Sequence, residues 1–425
     1  MIAKMDKKEK PQQARPPTPP AITPLSQHQT KAILQAIKKN RPICLSAYPI
    51  SELSLIEHFI DLGTNAHTPS RSSRVRQTED VSTHLACMYG IFHHVLNERL
   101  SLGSPIAKEY DIESALATCE ANLNILLQDG GKTTFEPGLG SVLALTLGAL
   151  RPHLSPAVSS RLLGKAAEQC LALGWNVDIS HANSSSSRRL FWSVYMLEKQ
   201  MSLALGRPSV FRDGDVNVRL PILARKEGVR NWDEVFLSRV GLARIQGVVL
   251  GILYEDGKDS KMKEEKERGE DREIDDYEKR VGKAATELEE WFGLLDSLSA
   301  DGVEHRRLFN LQRQILEVRY YSTYTALLRG PLCSPPASTS TSYKPVPPGL
   351  MPENGRNQAH IKPECFKTAR ATIKTYIRAC NAYKIILTMS PSPSPFARIY
   401  SPLTDWLVPH PPQAIYTLTS RKGPS

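Results

Sequence analysis

From about Leu53 onward, apolar residues recur at intervals of three and four, and β-like alternation is absent over any useful length. That period belongs to helices, so an all-α fold, a multi-helix bundle, is predicted. HLACMYGIFHHVLNERL (84–100) and DIESALATCEANLNILLQDGG (111–131) read as amphipathic helices, the second ending at Gly130-Gly131. SPAVSSRLLGKAAEQCLALGWN (155–176) carries a full set of boundary signals. Ser155 can cap, Pro156 suits the first helical position, and Gly174 can stop the helix, with Leu163, Ala166, Cys170 and Leu173 as the apolar stripe between them. Segments 237–254, 285–298, 305–332 and 365–386 continue the helical period, and Leu308, Leu311, Ile315 and Val318 mark one face of the third. No fixed-period repeat is present, which argues against a regular solenoid.

An unusually apolar helix ends abruptly in RRLFWSVYMLEKQMSLALGRPSVFRDGDVNVRLP (188–221). Leu190, Val194, Leu197, Met201 and Leu205 recur at helical spacing, and Phe191, Trp192 and Tyr195 add bulk on adjoining faces. A helix apolar over so much of its circumference is central in its domain. Gly206 can adopt the left-handed conformation that ends a helix, and Pro208 forbids continuation. Asp213, Asp215 and Arg219 then alternate with Val216 and Val218 up to Pro221, so the tail is predicted to run extended, with Arg207 paired to Asp213 or Asp215. Each residue has a packing or chain-stopping reason.

Three compositional breaks divide the chain. Residues 1–45 form a basic, Pro-rich tail expected to be disordered; 255–275 is a charged insertion in a helical domain spanning 46–330. A Pro/Ser-rich linker occupies 331–363, and 364–425 forms a C-terminal helical extension and tail. The net charge of +10 is concentrated in the first of these: Met1 to Arg41 holds nine Lys or Arg against Asp6 and Glu9. Lys7, Lys8, Lys10, Lys38, Lys39 and Arg41 could serve as a nuclear import address or as phosphate contacts, or simply solvate a terminus. The seven cysteines are scattered without any C-x-x-C, so neither a zinc site nor a disulfide framework is indicated, and reduced thiols are expected. The start, MIAKMDKKEKPQQ, has no apolar run of a secretory signal, and the uncharged run 137–150 is too short to span a bilayer, so no membrane partner is expected.

The 188–221 stretch resembles the signature of the fungal-specific transcription factor domain, the middle regulatory region of fungal zinc-cluster regulators. The resemblance rests on a helix R-R-x-x-W-x-x-Y-x-x-[DE], then S-L-x-L-G-R-P, then D-x-D-x-x-x-x-L-P. It falls on Arg188, Arg189, Trp192, Tyr195, Glu198, Ser202, Leu203, Leu205, Gly206, Arg207, Pro208, Asp213, Asp215, Leu220 and Pro221. LLGKAAEQCLALGWN (162–176), LLRGPL and CFKTARATI are similar to flanking elements in the family's order, so the likeness covers roughly 50–390. It implies a regulatory domain of RNA polymerase II transcription in the nucleus. Its partners would be the transcription machinery or co-regulators, a metabolite effector and a second copy of the chain as homodimer. Proteins of this family typically begin with a module in which six cysteines hold two zinc ions and read DNA, whereas the first 43 residues here contain no cysteine. DNA is therefore expected only through a missing or separate module, no cofactor is expected in this chain, and zinc enters only with an upstream cluster.

Sharper chemistry has little support in the sequence. DGGKTT (129–134) echoes a phosphate loop, but Leu126 stands where a glycine is required. Asp213, Asp215 and Asn217 open like a calcium loop, yet Val218 and Ala224 occupy the positions of its Gly and Glu. Asp275-Asp276 lacks the last acid of a magnesium-binding cluster, where Lys279 stands. His84, Cys87 and His94 could share a face as metal ligands, although a His and Cys within a helix core is commoner. No Ser or Cys occupies a nucleophile elbow. The remaining alternatives are a helical scaffold with no nuclear role and an all-α enzyme.

Overall fold

A computed structural model describes residues 22–39, 52–67, 77–101, 111–127, 135–151, 154–178, 185–222, 227–254, 270–300, 306–330 and 363–388, with Pro42 and Val303 between them. These contain eleven α-helices and no β-strand, as the helical period predicts. In chain order they are α1 (Gln27–Lys39), α2 (Leu53–Ala66), α3 (Gln77–Ser101), α4 (Ile112–Leu127), α5 (Leu139–Ala149) and α6 (Pro156–Ala172). The chain continues with α7 (Ser185–Leu205), α8 (Glu227–Tyr254), α9 (Glu270–Leu295), α10 (Arg306–Arg329) and α11 (Pro363–Thr388).

Two helices act as hubs. α3 receives α1, α2, α4 and α5, and α8 receives α7, α9 and α10, while α5, α6 and α7 pack in succession between them. α5 is buried from Ser141 to Ala149, which suits its nearly unbroken apolar sequence. α11 lies along α10. Within α8, the stretch Trp232–Tyr254 is long and apolar enough to cross a membrane by length and composition alone. Its polar side chains are engaged inside the protein: Arg239 donates to Gln312 and Gln246 donates to Thr323 at 3.0 Å, both on α10. It is a core helix.

Boundary signals act locally, so they were legible. The Ser155 Oγ accepts the Val158 N–H at 3.3 Å with Pro156 in the first turn, and α6 stops at Gly174 with φ +67°. α7 stops the same way at Gly206, φ +64°, where the Arg207 N–H donates to the Ser202 carbonyl at 3.0 Å.

The expected disorder of residues 1–45 is corrected at Gln27–Lys39, which is helical. Ser26 and Gln29 cap it reciprocally: the Gln29 N–H donates to Ser26 Oγ at 3.2 Å and the Ser26 N–H to Gln29 Oε1 at 3.0 Å. Ala32, Ile33 and Ile37 then give it a buried face. Upstream of the cap, Asn122 grips the Thr23 backbone through both its amide atoms, at 2.9 and 2.7 Å, and the Tyr89 hydroxyl donates to the same carbonyl at 3.2 Å. Of the charged insertion, Glu270 onward begins α9, whereas 255–269, the linker 331–362 and the loop 129–134 lie outside the described residues.

Candidate functional site

The polar centre of the molecule is α7 with the tail that follows it. Trp192, Tyr195 and Lys199 lie at i, i+3 and i+7 on one face of α7. After Pro208 the chain reverses and runs back along that face. Near the C-terminal end of α7, Glu198 accepts from Ser202 Oγ at 2.7 Å, from Ser209 Oγ at 2.5 Å and from the Val210 N–H at 2.9 Å. The next residue, Lys199, donates from Nζ to the Phe211 carbonyl at 2.7 Å and pairs with Asp213 Oδ1 at 2.9 Å. The Tyr195 hydroxyl donates to the same Asp213 oxygen at 2.6 Å. Closest to the N-terminus of α7, the Trp192 indole N–H donates to the Arg219 carbonyl at 3.0 Å.

A second strand of chain braces the tail. The Asn217 N–H donates to the Asn176 carbonyl at 2.7 Å, and the Asp178 N–H returns to the Asn217 carbonyl at 2.8 Å. The Asn176 amide also donates to the Asp215 carbonyl at 2.9 Å. Asp178 takes both Arg219 Nε at 2.6 Å and Arg188 at 3.5 Å. The short turn Asp213–Asp215 sits against α8 where Gly247 has no side chain; a Cβ there would overlap the Asp213 carboxylate. On the opposite side, Arg189 pairs with Asp233 of α8 at 2.8 Å and lies 4.3 Å from the centre of the Phe236 ring.

These contacts assign the signature residues to a structural clasp. Trp192 is 2% exposed, and its ring meets Phe191 and Tyr195 edge-on at 5.4 and 5.2 Å. Burial, and then the Asp213 carboxylate beside it, pushes the Tyr195 hydroxyl well above the usual phenol range, so it stays a hydrogen-bond donor. Lys199, Tyr195 and Asp213 resemble an acid–base cluster in composition. The Lys199 amine, though, is enclosed by a carbonyl, a carboxylate and the Tyr195 ring 5.3 Å away. A cavity of about 20 Å³, room for about one water, lies elsewhere, between α1, α3 and α4.

The expected pairing of Arg207 with Asp213 or Asp215 is corrected. Asp213 is held by Lys199 and Tyr195, Asp215 enters through its backbone carbonyl, and the Arg207 Nε has no hydrogen-bond partner. Gly206 turns the chain before Arg207, whereas Lys199 stands on the face along which the tail returns. Pro208 and Pro221 bracket that tail. The roles of Lys199, Asn176, Asp178 and Asn217 in the clasp are not expected from the sequence, where Asn217 figures only in the echo of a calcium loop. A lysine in line with Trp192 and Tyr195 on an otherwise apolar helix was a signal for the first; the other three are joined by pairing that no local pattern encodes.

Of the basic residues at the N-terminus, Lys38 and Lys39 close α1, and Lys38 pairs with Glu57 at 3.3 Å; Lys7, Lys8, Lys10 and Arg41 lie outside the described residues. Cys87 donates to the Gly140 carbonyl at 3.0 Å and His94 to that of Leu147 at 2.9 Å, so both are tied to α5. No group of three or more His, Cys, Asp or Glu able to hold a metal occurs among the described residues. A two-zinc cluster needs thiolates close together, and Cys87, Cys119, Cys170 and Cys365 are buried on four different helices. Burial pushes the first three thiols up, away from the thiolate form. They do not fit such a cluster.

The fold and its polar centre define an all-helical domain whose most distinctive residues hold a chain reversal together. Residues 141–293, which contain the clasp, match the model of the fungal specific transcription factor domain. An uncharacterized transcriptional regulatory protein of Schizosaccharomyces pombe is 35% identical over 82 residues, a stretch that is 19% of this chain and 13% of that relative. No solved structure matches the chain significantly.

Proposed function

We propose that this chain is the regulatory part of a fungal transcription regulator, acting in the nucleus on RNA polymerase II transcription in response to a metabolite or a partner. The observation that carries this reading is the match of residues 141–293 to the fungal specific transcription factor domain, with the clasp at its centre. The printed description of the fission-yeast relative, a transcriptional regulatory protein, points the same way. In this reading 46–330 is the regulatory unit and α11 begins a C-terminal extension. Lys7, Lys8, Lys10 and Arg41 contribute to nuclear import, co-regulators or the transcription machinery are the partners, and sequence-specific DNA contact belongs to a separate module.

Two fusions of the full chain test this in fungal cells. Joined to a fluorescent protein, it should accumulate in the nucleus; joined to a heterologous DNA-binding module, it should change a reporter's output several-fold relative to the module alone. Exclusion from the nucleus, or an output equal to that of the module alone from a fusion that accumulates normally, overturns the proposal in favour of a scaffold outside the nucleus.

A further inference from the structure

Among the described residues, helix α11 is packed on one side only. Cys365, Thr375 and Ala379 are buried, and α10 is the helix it packs along. Turned away from them stand Phe366, Ile373 and Ile377, which are 55%, 57% and 52% exposed. Their spacings of seven and four residues place them in a single line down the helix, about 16 Å long at the α-helical rise. One exposed apolar residue on a protein surface is ordinary; three aligned over three turns form a patch, and patches of that kind mark contact surfaces.

The flank of this line is cationic. Lys367, Arg370 and Lys374 are exposed and lie on the same side of the apolar row. Arg378 continues the series but already meets Glu317 of α10 at 3.4 Å. Glu364 is the only acid between Pro363 and Thr388. The face therefore pairs a narrow apolar line with a parallel band of positive charge.

We propose that this face of α11 docks an acidic amphipathic helix from another protein. Apolar side chains recurring at i, i+4 and i+7 on the partner would fill the line from Phe366 to Ile377, and carboxylates beside them would meet Lys367, Arg370 and Lys374. A second copy of the same face would set cations against cations. The chain's own acidic stretch, 254–276, offers only Tyr254, Met262 and Ile274 as large apolar residues, too sparse for such a row. Phosphates of a nucleic acid would use the cations and leave the apolar line without a role. A lipid surface calls for a broader apolar face than a row one side chain wide. The proposal stands on α11 alone and is independent of the transcriptional reading.

The test is fluorescence anisotropy on the full chain with a labelled helical peptide of about five turns, Leu at i, i+4, i+7 and i+11, and Asp and Glu on one flank. Comparison ligands are the same peptide with Lys in place of its acids, a DNA duplex of similar charge, and vesicles of phosphatidylserine and phosphatidylcholine. The acidic peptide should bind with a Kd of micromolar order. The double variant Ile373→Ser, Ile377→Ser should weaken it about tenfold or more at all salt concentrations. Arg370→Glu with Lys374→Glu should weaken it comparably at low salt, by an amount that shrinks as salt rises. All four side chains are exposed, so melting curves should coincide with wild type and exclude misfolding. Failure of the acidic peptide to bind overturns the proposal, as does equal binding of its lysine counterpart or indifference to either double variant. Stronger capture of the duplex or the vesicles overturns it as well.

Discussion

Glu198→Ala, set beside Glu198→Gln, asks whether the polar residues of α7 hold structure. The Glu198 side chain is fully buried and accepts from Ser202 Oγ, Ser209 Oγ and the Val210 N–H. In the alanine variant all three donors lose their acceptor. A serine hydroxyl can rotate, and Ser202 can turn to the carbonyl four residues back, so those two losses are partly recovered. The Val210 N–H cannot turn, and an unmet buried donor costs about 1–3 kcal/mol. Adding the void left by the side chain brings the expected cost to about 3–4 kcal/mol. Glutamine keeps the shape, and its carbonyl oxygen, placed at the Oε1 position, keeps both Ser202 and Val210. Only Ser209 must reverse to accept from the new amide, in competition with the Phe211 N–H it already accepts at 3.1 Å. That variant should cost about 1 kcal/mol. Urea unfolding followed by circular dichroism and tryptophan fluorescence should therefore rank wild type above Gln above Ala, with proteolysis of the 206–221 tail accelerated in the alanine variant. An alanine variant within about 1 kcal/mol of wild type, or a glutamine variant as unstable as alanine, would refute the acceptor role.

Trp192→Ala should cost about 3–5 kcal/mol in the same assay and Trp192→Phe about 1–2, because phenylalanine keeps most of the ring packing and loses the bond to Arg219; equal costs would mean that the indole contributes through its N–H alone. His94, lowered to about 4 chiefly by burial, gives a pH dependence. The unfolded chain takes up its proton near pH 6.5 and the folded protein only near 4, so stability is full above that window and falls as pH drops through it, by up to about 3 kcal/mol. His94→Gln should flatten this part of the profile, and an unchanged slope in that variant would assign the acid sensitivity to other groups.

What was legible in the sequence depended on how local its cause is. The ends of α6 and α7 follow from Ser155, Pro156, Gly174, Gly206 and Pro208, each acting within a few residues of itself. α1 had equally local signals in Ser26, Gln29, Ile33 and Ile37, which the proline-rich and basic context around them obscured. The clasp was legible as architecture and illegible in its pairings. Arg207 is near the aspartates in sequence, but Lys199 is near Asp213 in space, because the direction of the tail is set by contacts with residues 176–178. No periodicity carries that information.

The direction of the tail also explains why the polar groups of so specific a motif are spent on one another and on the backbone. Glu198, Lys199, Tyr195 and Trp192 are met in that order by residues 209 to 219, so the chain is carried back from the end of α7 toward its beginning. It must then enter α8, which packs on α7 and leaves room for Asp213 at Gly247. The polar side chains in this path hold the tail on α7, and the turn at Asp213 seats the tail against α8 at Gly247. Loss of any one should therefore lower stability before it alters any binding event. Residues on the outer face of α11 lie beyond this scaffold, and their loss should alter binding while the melting curve stays where it was. Variants that failed to separate in this way, with α11 changes melting early or clasp changes leaving the fold intact, would contradict the division of labour between a structural centre and a functional surface.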